Sequence, residues 1–163
     1  MDAPTAVGEA FARALAAGDH DGLRDLLADP IDFEALTPRR HWRATAPRIV
    51  VDDIIFGVWF GPADTITELR AVTCGQVADR ERVTYRLGVR RGGVDHVVEQ
   101  HAYFNFDGHR IDWIRMVCSG YRSQHGPEQT APASPNCFQV PPAGFDSGLA
   151  SSADPADPIQ RRS

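Results

Sequence analysis

Residues 82–120 read RVTYRLGVRRGGVDHVVEQHAYFNFDGHRIDWIRMVCSG, and this stretch decides the fold. Gly92-Gly93 and Asp107-Gly108 suit two-residue hairpin turns, whose backbone needs positive φ. With Gly92-Gly93 as the first loop, Arg91 pairs with Val94. With Asp107-Gly108 as the second, Phe106 pairs with His109. Three long antiparallel strands result, and side chains alternate between their faces. One face carries Val83, Tyr85, Leu87 and Val89, then Val98, Gln100, Ala102 and Phe104, then Ile111, Trp113, Arg115 and Val117. This mostly apolar face is the expected buried one. A polar row of Tyr85, Gln100 and Arg115 crosses it. Such a row, ending in a cation on an apolar face, predicts a ligand pocket.

Upstream, residues 4–17 place Val7, Phe11, Ala14 and Leu15 at helical spacing before Gly18. Asp19 can cap a second helix running to Leu27. Residues 31–36 alternate as a strand. Thr37-Pro38 reads as a cap with proline at the first helical position, opening a helical stretch through Arg43. Pro47 starts a further helix with Val50, Val51, Ile54, Ile55 and Val58 on its buried side, ended by Gly57 and Gly61-Pro62. Residues 64–78 form a strand whose facing depends on the turn near Asp79-Arg80. An even-length turn places Val72, Cys74 and Gln76 inward; an odd one places Ala71, Thr73 and Val77 inward. Gly75 and Gly88 suit bulges or bends.

Composition bounds the function. A chain of 163 residues with 42% hydrophobic content suits one soluble domain. The net charge of -5, with all 17 basic residues arginine, argues against a nucleic-acid footprint. Cys74, Cys118 and Cys137 show no CxxC spacing, and their odd number does not fit a disulfide framework. No basic-then-apolar leader opens the chain and no apolar run is long enough to span a bilayer, so a cytoplasmic protein with no membrane partner is expected. Seven of the 12 prolines fall in the last 40 residues, with much Ala, Ser, Gly and Asp. The chain therefore divides into a folded domain over residues 1–123 and a Pro/Ala/Ser-rich tail over 124–163, expected to be disordered. Phe138, Val140 and Phe145 are the tail residues able to dock on the body.

The order helix, short helix, strand, helix and bent meander resembles the nuclear transport factor two-like superfamily. The residues carrying the resemblance are Phe33-Glu34-Ala35-Leu36-Thr37-Pro38 before His41-Trp42, then Tyr103-Phe104-Asn105-Phe106-Asp107-Gly108, then Ile111-Asp112-Trp113-Ile114-Arg115. They are similar to the SnoaL-like branch, which includes polyketide cyclases, ketosteroid isomerases and limonene epoxide hydrolases. The resemblance covers roughly residues 4–122. It implies an α+β fold in which a cone-shaped curved antiparallel sheet wraps N-terminal helices, with the pocket between the concave face and the helices. It implies a cofactor-independent enzyme that cyclises, isomerises or opens the epoxide of an apolar polyketide- or terpenoid-like substrate. The alternative is a non-catalytic ligand-binding or protein-interaction module of the same fold. Two departures stand out. Ala102 occupies the position of the isomerases' pocket acid, and Arg115 is flanked by Trp113 and Val117 rather than by the hydrolases' aspartates.

The candidate catalytic residues are Asp32, Glu34, Arg115 and His41. Arg115 would hold a substrate oxyanion or carboxylate, or close an ion pair with Asp32, Glu34, Asp52 or Asp53. Asp32 and Glu34 share one strand face. Inward, either could be a general base; outward, both are surface acids, and the non-catalytic alternative gains. His41 is a further acid–base candidate. Tyr85 and Gln100 would orient a carbonyl or water, or satisfy one another as a buried network. Trp113, Trp42, Phe104 and Cys74 complete the expected substrate-binding wall. His96, His101 and His109 lack ligand spacing, so no metal is expected. Ile114, Met116, Val97 and Cys118 fall on the outer face, where an apolar stripe predicts a homodimer contact.

Overall fold

A computed structural model describes residues 6–124. Two helices, α1 (Val7–Ala17) and α2 (His20–Leu26), lead into a hairpin of β1 (Leu27–Thr37) and β2 (Arg40–Ala44). A third helix, α3 (Ile49–Trp59), precedes β3 (Asp64–Val77), β4 (Arg80–Arg91), β5 (Val94–Asp107), β6 (Arg110–Cys118) and the short β7 (Arg122–Ser123). The strands form one sheet in the order β2-β1-β6-β5-β4-β3, with β7 added to β5. β1 and β6 run parallel, and every other pair is antiparallel. The result is the expected α+β architecture, a curved, unclosed sheet with helices on its concave side. No helix among the described residues is long and apolar enough to cross a membrane. The expected disorder of residues 124–163, and the docking of Phe138, Val140 and Phe145, lie outside the described residues apart from Gln124.

The early elements follow from their caps and stripes. α1 buries Phe11, Ala12 and Leu15 and ends at Gly18 in the left-handed region. Asp19 accepts from the Gly22 amide at 2.8 Å and so caps α2. Phe11 brings α1 onto the sheet, its ring centroid 5.3 Å from Phe104 and 6.4 Å from Tyr85. The β4–β5 hairpin has the predicted register, with Arg91 opposite Val94 and Tyr85 opposite Gln100. Gly92 and Gly93 supply the positive φ of its turn, 56° and 79°. The β3–β4 turn is even, Val77 pairing with Arg80, so Val72 and Cys74 pack on the core side. Gly88 sits opposite a bulge in β3 between Ile66 and Glu68.

Three expectations are corrected. The first concerns β6. Its turn is Gly108-His109, with Asp107 opposite Arg110, and a bulge opposite the Asn105–Phe106 step adds Asp112 to the strand. Beyond that bulge the alternation flips. Ile114, Met116 and Cys118 point to the core, while Trp113, Arg115 and Val117 point outward. Two aliphatic side chains are thereby buried and a guanidinium stays near water, which the alternation without a bulge would have reversed. The second concerns residues 37–43. Thr37 pairs with Arg40, so Pro38 and Arg39 form a tight turn and His41-Trp42 lie on a strand. Proline also favours the second position of a tight turn, and Arg39 and Arg40 would have put positive charge on a helix N-terminus. The third concerns α3, which is wound as a π-helix. Hydrogen bonds five residues apart, as from Phe60 to the Ile55 carbonyl at 2.7 Å, carry the stripe from Ile54 to Trp59. Trp59 is buried, and Val58 is 51% exposed.

Candidate ligand-binding site

The flip in β6 rewrites the polar row. Tyr85 and Gln100 are joined by Cys118 rather than by Arg115. The Tyr85 hydroxyl donates to Gln100 Oε1 at 2.5 Å, and both residues are shut off from solvent. Burial holds that phenol well above its usual ionisation range, with Cys118 adding to the effect. Gln100 Nε2 has no hydrogen-bond partner. The half-buried Cys118 thiol accepts from the Gly120 amide at 3.4 Å.

A cavity of about 370 Å³ opens beside Cys118 and Val98, walled by Trp42, Trp59, Phe60 and Tyr121. This volume is within the range of small-molecule sites. Trp42 comes from β2, where its inward parity places it edge-on to Trp59 at 6.2 Å. Its indole donates to Thr37 Oγ1 at 2.9 Å, and the Arg40 guanidinium covers its ring at 3.7 Å. Trp59, at the end of α3, is buried, and its indole N–H has no partner. Leaving a buried donor unmade costs about 1–3 kcal/mol.

Tyr121 is held from four sides. Its hydroxyl contacts the Trp59 carbonyl and lies 3.2 Å from Asp64 Oδ2. Arg91 stacks over its ring at 4.0 Å and grips Asp64 with two bonds of 2.7 and 2.9 Å. Phe60 and His96 meet the ring edge-on. Burial first, and then the Asp64 charge, push the phenol far above its ordinary value. With its proton engaged by the Trp59 carbonyl and Asp64, this hydroxyl is not free to donate to a ligand. The cavity mouth carries Arg39, Arg91 and Arg122, and no Asp, Glu or His among the described residues lines the cavity.

The sequence-predicted residues divide between two faces. Asp32, Glu34, Arg115 and His41 do converge, but on the outer side of the sheet. Arg115 binds both Asp32 oxygens at 3.0 and 2.9 Å, and its contact to Glu34 is 3.8 Å. His41 Nε2 lies 3.1 Å from Glu34. Asp32 is 58% exposed, and the Arg115 guanidinium lowers its carboxyl below the usual range. Trp113 is also outside, between the guanidiniums of Arg80 at 4.2 Å and Arg115 at 4.5 Å. Phe104 faces inward but is wholly core. Cys74 lines a separate recess with Glu81 and Phe106, where burial raises its thiol. Of the expected wall, Trp42 lines the cavity and Gln100 borders it through Cys118. Trp59, Phe60, Tyr121 and the mouth arginines were missed. Their one legible signal was aromatic residues directly after a helix and after the last long strand. No group of three or more potential metal ligands occurs among the described residues.

No family model and no curated protein matches the sequence. Solved structures do match the fold. An NTF2-like protein from Burkholderia thailandensis superposes with a TM-score of 0.54 at 14% identity, covering 73% of this chain and 92% of that one. An LEH-like epoxide hydrolase of M. tuberculosis gives 0.52 at 17% identity, covering 69% and 80%. A Catenulispora acidiphila protein with a ketosteroid isomerase-like fold, in complex with trimethylamine, gives 0.52 at 14% identity, covering 72% and 88%. Other matches carry names of isomerase and polyketide cyclase type. The chain therefore has the NTF2-like fold, of the kind seen in SnoaL-like cyclases, ketosteroid isomerase-like and epoxide hydrolase-like proteins.

Proposed function

We propose that this protein binds an apolar small molecule and does not transform it. The observation that carries this reading is the chemistry of the cavity. Aromatic side chains of Trp42, Trp59, Phe60 and Tyr121 wall the space, and no carboxylate or imidazole among the described residues lines it. A general base must reach the proton that it removes. Asp32, Glu34 and His41 are on the far side of the sheet from this cavity. The two described cysteines are free thiols, which suits a reducing, cytoplasmic setting.

A panel of polycyclic ketones, terpenoid epoxides and fatty-acyl amides tests the reading by thermal shift, because a ligand of the native state raises the melting temperature by mass action. A hit should quench tryptophan fluorescence, lose about tenfold in affinity in Trp42→Ala, which removes one aromatic wall, and be recovered chemically unchanged. Turnover of any panel member would overturn the non-catalytic reading.

We further propose that two copies associate through the outer sheet face. The stripe there is Leu36, Val117 and Tyr103, exposed by 51%, 54% and 38%, instead of Ile114 and Met116, which are buried. Leu36 and Val117 are direct register partners, ringed by the Asp32, Glu34 and Arg115 ion pairs. Light scattering should give a dimer mass that Val117→Glu reduces to a monomer's; a monomeric wild type would refute the association.

A further inference from the structure

Most of the arginines among the described residues are paired with a carboxylate, among them Arg13, Arg24, Arg86, Arg90 and Arg115. At the cavity mouth Arg91 is likewise neutralised by Asp64. Of the arginines without a carboxylate partner among the described residues, which also include Arg40, Arg80, Arg82 and Arg110, Arg39 and Arg122 are the two that line the cavity. Two uncompensated positive charges therefore face an apolar cavity in a chain whose net charge is -5.

The backbone holds both residues in place. Arg39 has φ 97° and follows Pro38 in the turn between β1 and β2. That is the turn position at which glycine is the usual residue, and a larger residue there is strained. The turn is clamped from behind. Gly120 has φ 70°, and a Cβ on it would lie 2.7 Å from Pro38 Cγ, so the chain after β6 packs directly on the turn. Arg122 is fixed by the pairing of β7, where it sits opposite Val97. Strain retained at a cavity mouth, on a side chain with no carboxylate partner among the described residues, is an observation that asks for a function.

We propose that the ligand of this cavity is a hydrophobic carboxylic acid. Its apolar body lies against Trp42 and Trp59, and its carboxylate lies at the mouth between Arg39 and Arg122. This rests on reading the cavity as a ligand site and adds the charge of the ligand. The planar guanidinium fork matches a carboxylate in geometry and charge. A head group at the mouth keeps part of its hydration, which avoids the desolvation that burying it would exact.

The test compares naphthylacetic acid with naphthylacetamide by calorimetry, in wild type, Arg39→Gly and Arg122→Gln. The amide keeps the ring and a carbonyl and loses only the charge. Wild type should bind the acid about tenfold or more tightly than the amide, the usual return of charge-assisted hydrogen bonds. Each variant should lower acid affinity toward that of the amide and leave amide affinity unchanged. Arg39→Gly suits the turn better than arginine, so its melting temperature should rise and misfolding cannot explain its loss. If both compounds bind wild type equally, the carboxylate inference falls and the cavity reading stands. If neither binds, both fall. An acid preference that survives in both variants would remove Arg39 and Arg122 from the site.

Discussion

Tyr85 shows what a single hydroxyl does in a sealed interior. It donates the one hydrogen bond that Gln100 receives at Oε1, while Gln100 Nε2 has none. Tyr85→Phe would leave the whole amide unsatisfied, at a cost of about 1–3 kcal/mol. Urea unfolding should register that loss, and the double variant Tyr85→Phe, Gln100→Leu should recover most of it, since removing both polar partners is close to neutral. A double variant no better than the single would mean that the pair is not acting as one unit. At this scale the sequence was informative about pairs and silent about facing. Tyr85 and Gln100 are opposite one another because a glycine pair sets their hairpin. Arg115 is elsewhere because one inserted residue, Asp112, has no compositional signature. Both parities of Ile111–Cys118 are about equally apolar, and only the preference of the guanidinium for water separates them.

Among elements, the bulged strand β6 is the one on which the core depends. Deleting Asp112 would remove the extra residue, so that Ile111, Ile114 and Met116 share the core face by plain alternation while Trp113, Arg115 and Val117 stay outward. Circular dichroism and thermal melting should show a deletion variant that still folds cooperatively; loss of the fold would mean that the bulge itself, beyond the facing it sets, holds the strand. The Gly92-Gly93 turn and the strands it joins are legible in the sequence, as are α1 and α2, whereas the Asp107-Gly108 turn is displaced by one residue to Gly108-His109. The Thr37-Pro38 element was misread because proline after threonine opens helices and turns alike. The cavity depends on the turn and strand that stand there instead. Trp42 reaches its wall only as a strand residue, and Trp59 only because π winding advances the buried stripe by five. Neither the π winding nor the β6 bulge is encoded in local periodicity, so the aromatic wall became visible only in three dimensions.

In the molecule as a whole, carboxylates tie elements together. Asp52 of α3 accepts from Arg24 at 2.5 Å and lies 2.9 Å from His20 Nδ1, both on α2. Asp32 joins β1 to β6, and Glu99 joins β5 to β4 through Arg86 at 2.6 Å. Contact with His20 lowers Asp52, with Arg115 lowers Asp32, and with Arg86 lowers Glu99, from ordinary values of 3.8, 3.8 and 4.5. Groups lowered in the folded state add stability that is present above the unfolded value and lost as pH falls through the folded one. Unfolding free energy should therefore be level near neutrality and decline below about pH 4.5. Asp52→Asn should flatten that decline, because its carboxylate is the least exposed of the three. A stability that does not change with acid would refute the linkage.

The parallel pairing of β1 with β6 also sets a timetable. A ribosome releases the β1–β2 hairpin long before β6 exists, and for that interval Phe33 and Ala35 have no sheet neighbour on the side that β6 will occupy. Pairings so distant along the chain form late and slowly. The nascent chain must keep an adhesive hairpin out of trouble until its last long strand arrives. Demand for chaperones during synthesis, rather than fragility once folded, is the burden that this topology places on the cell.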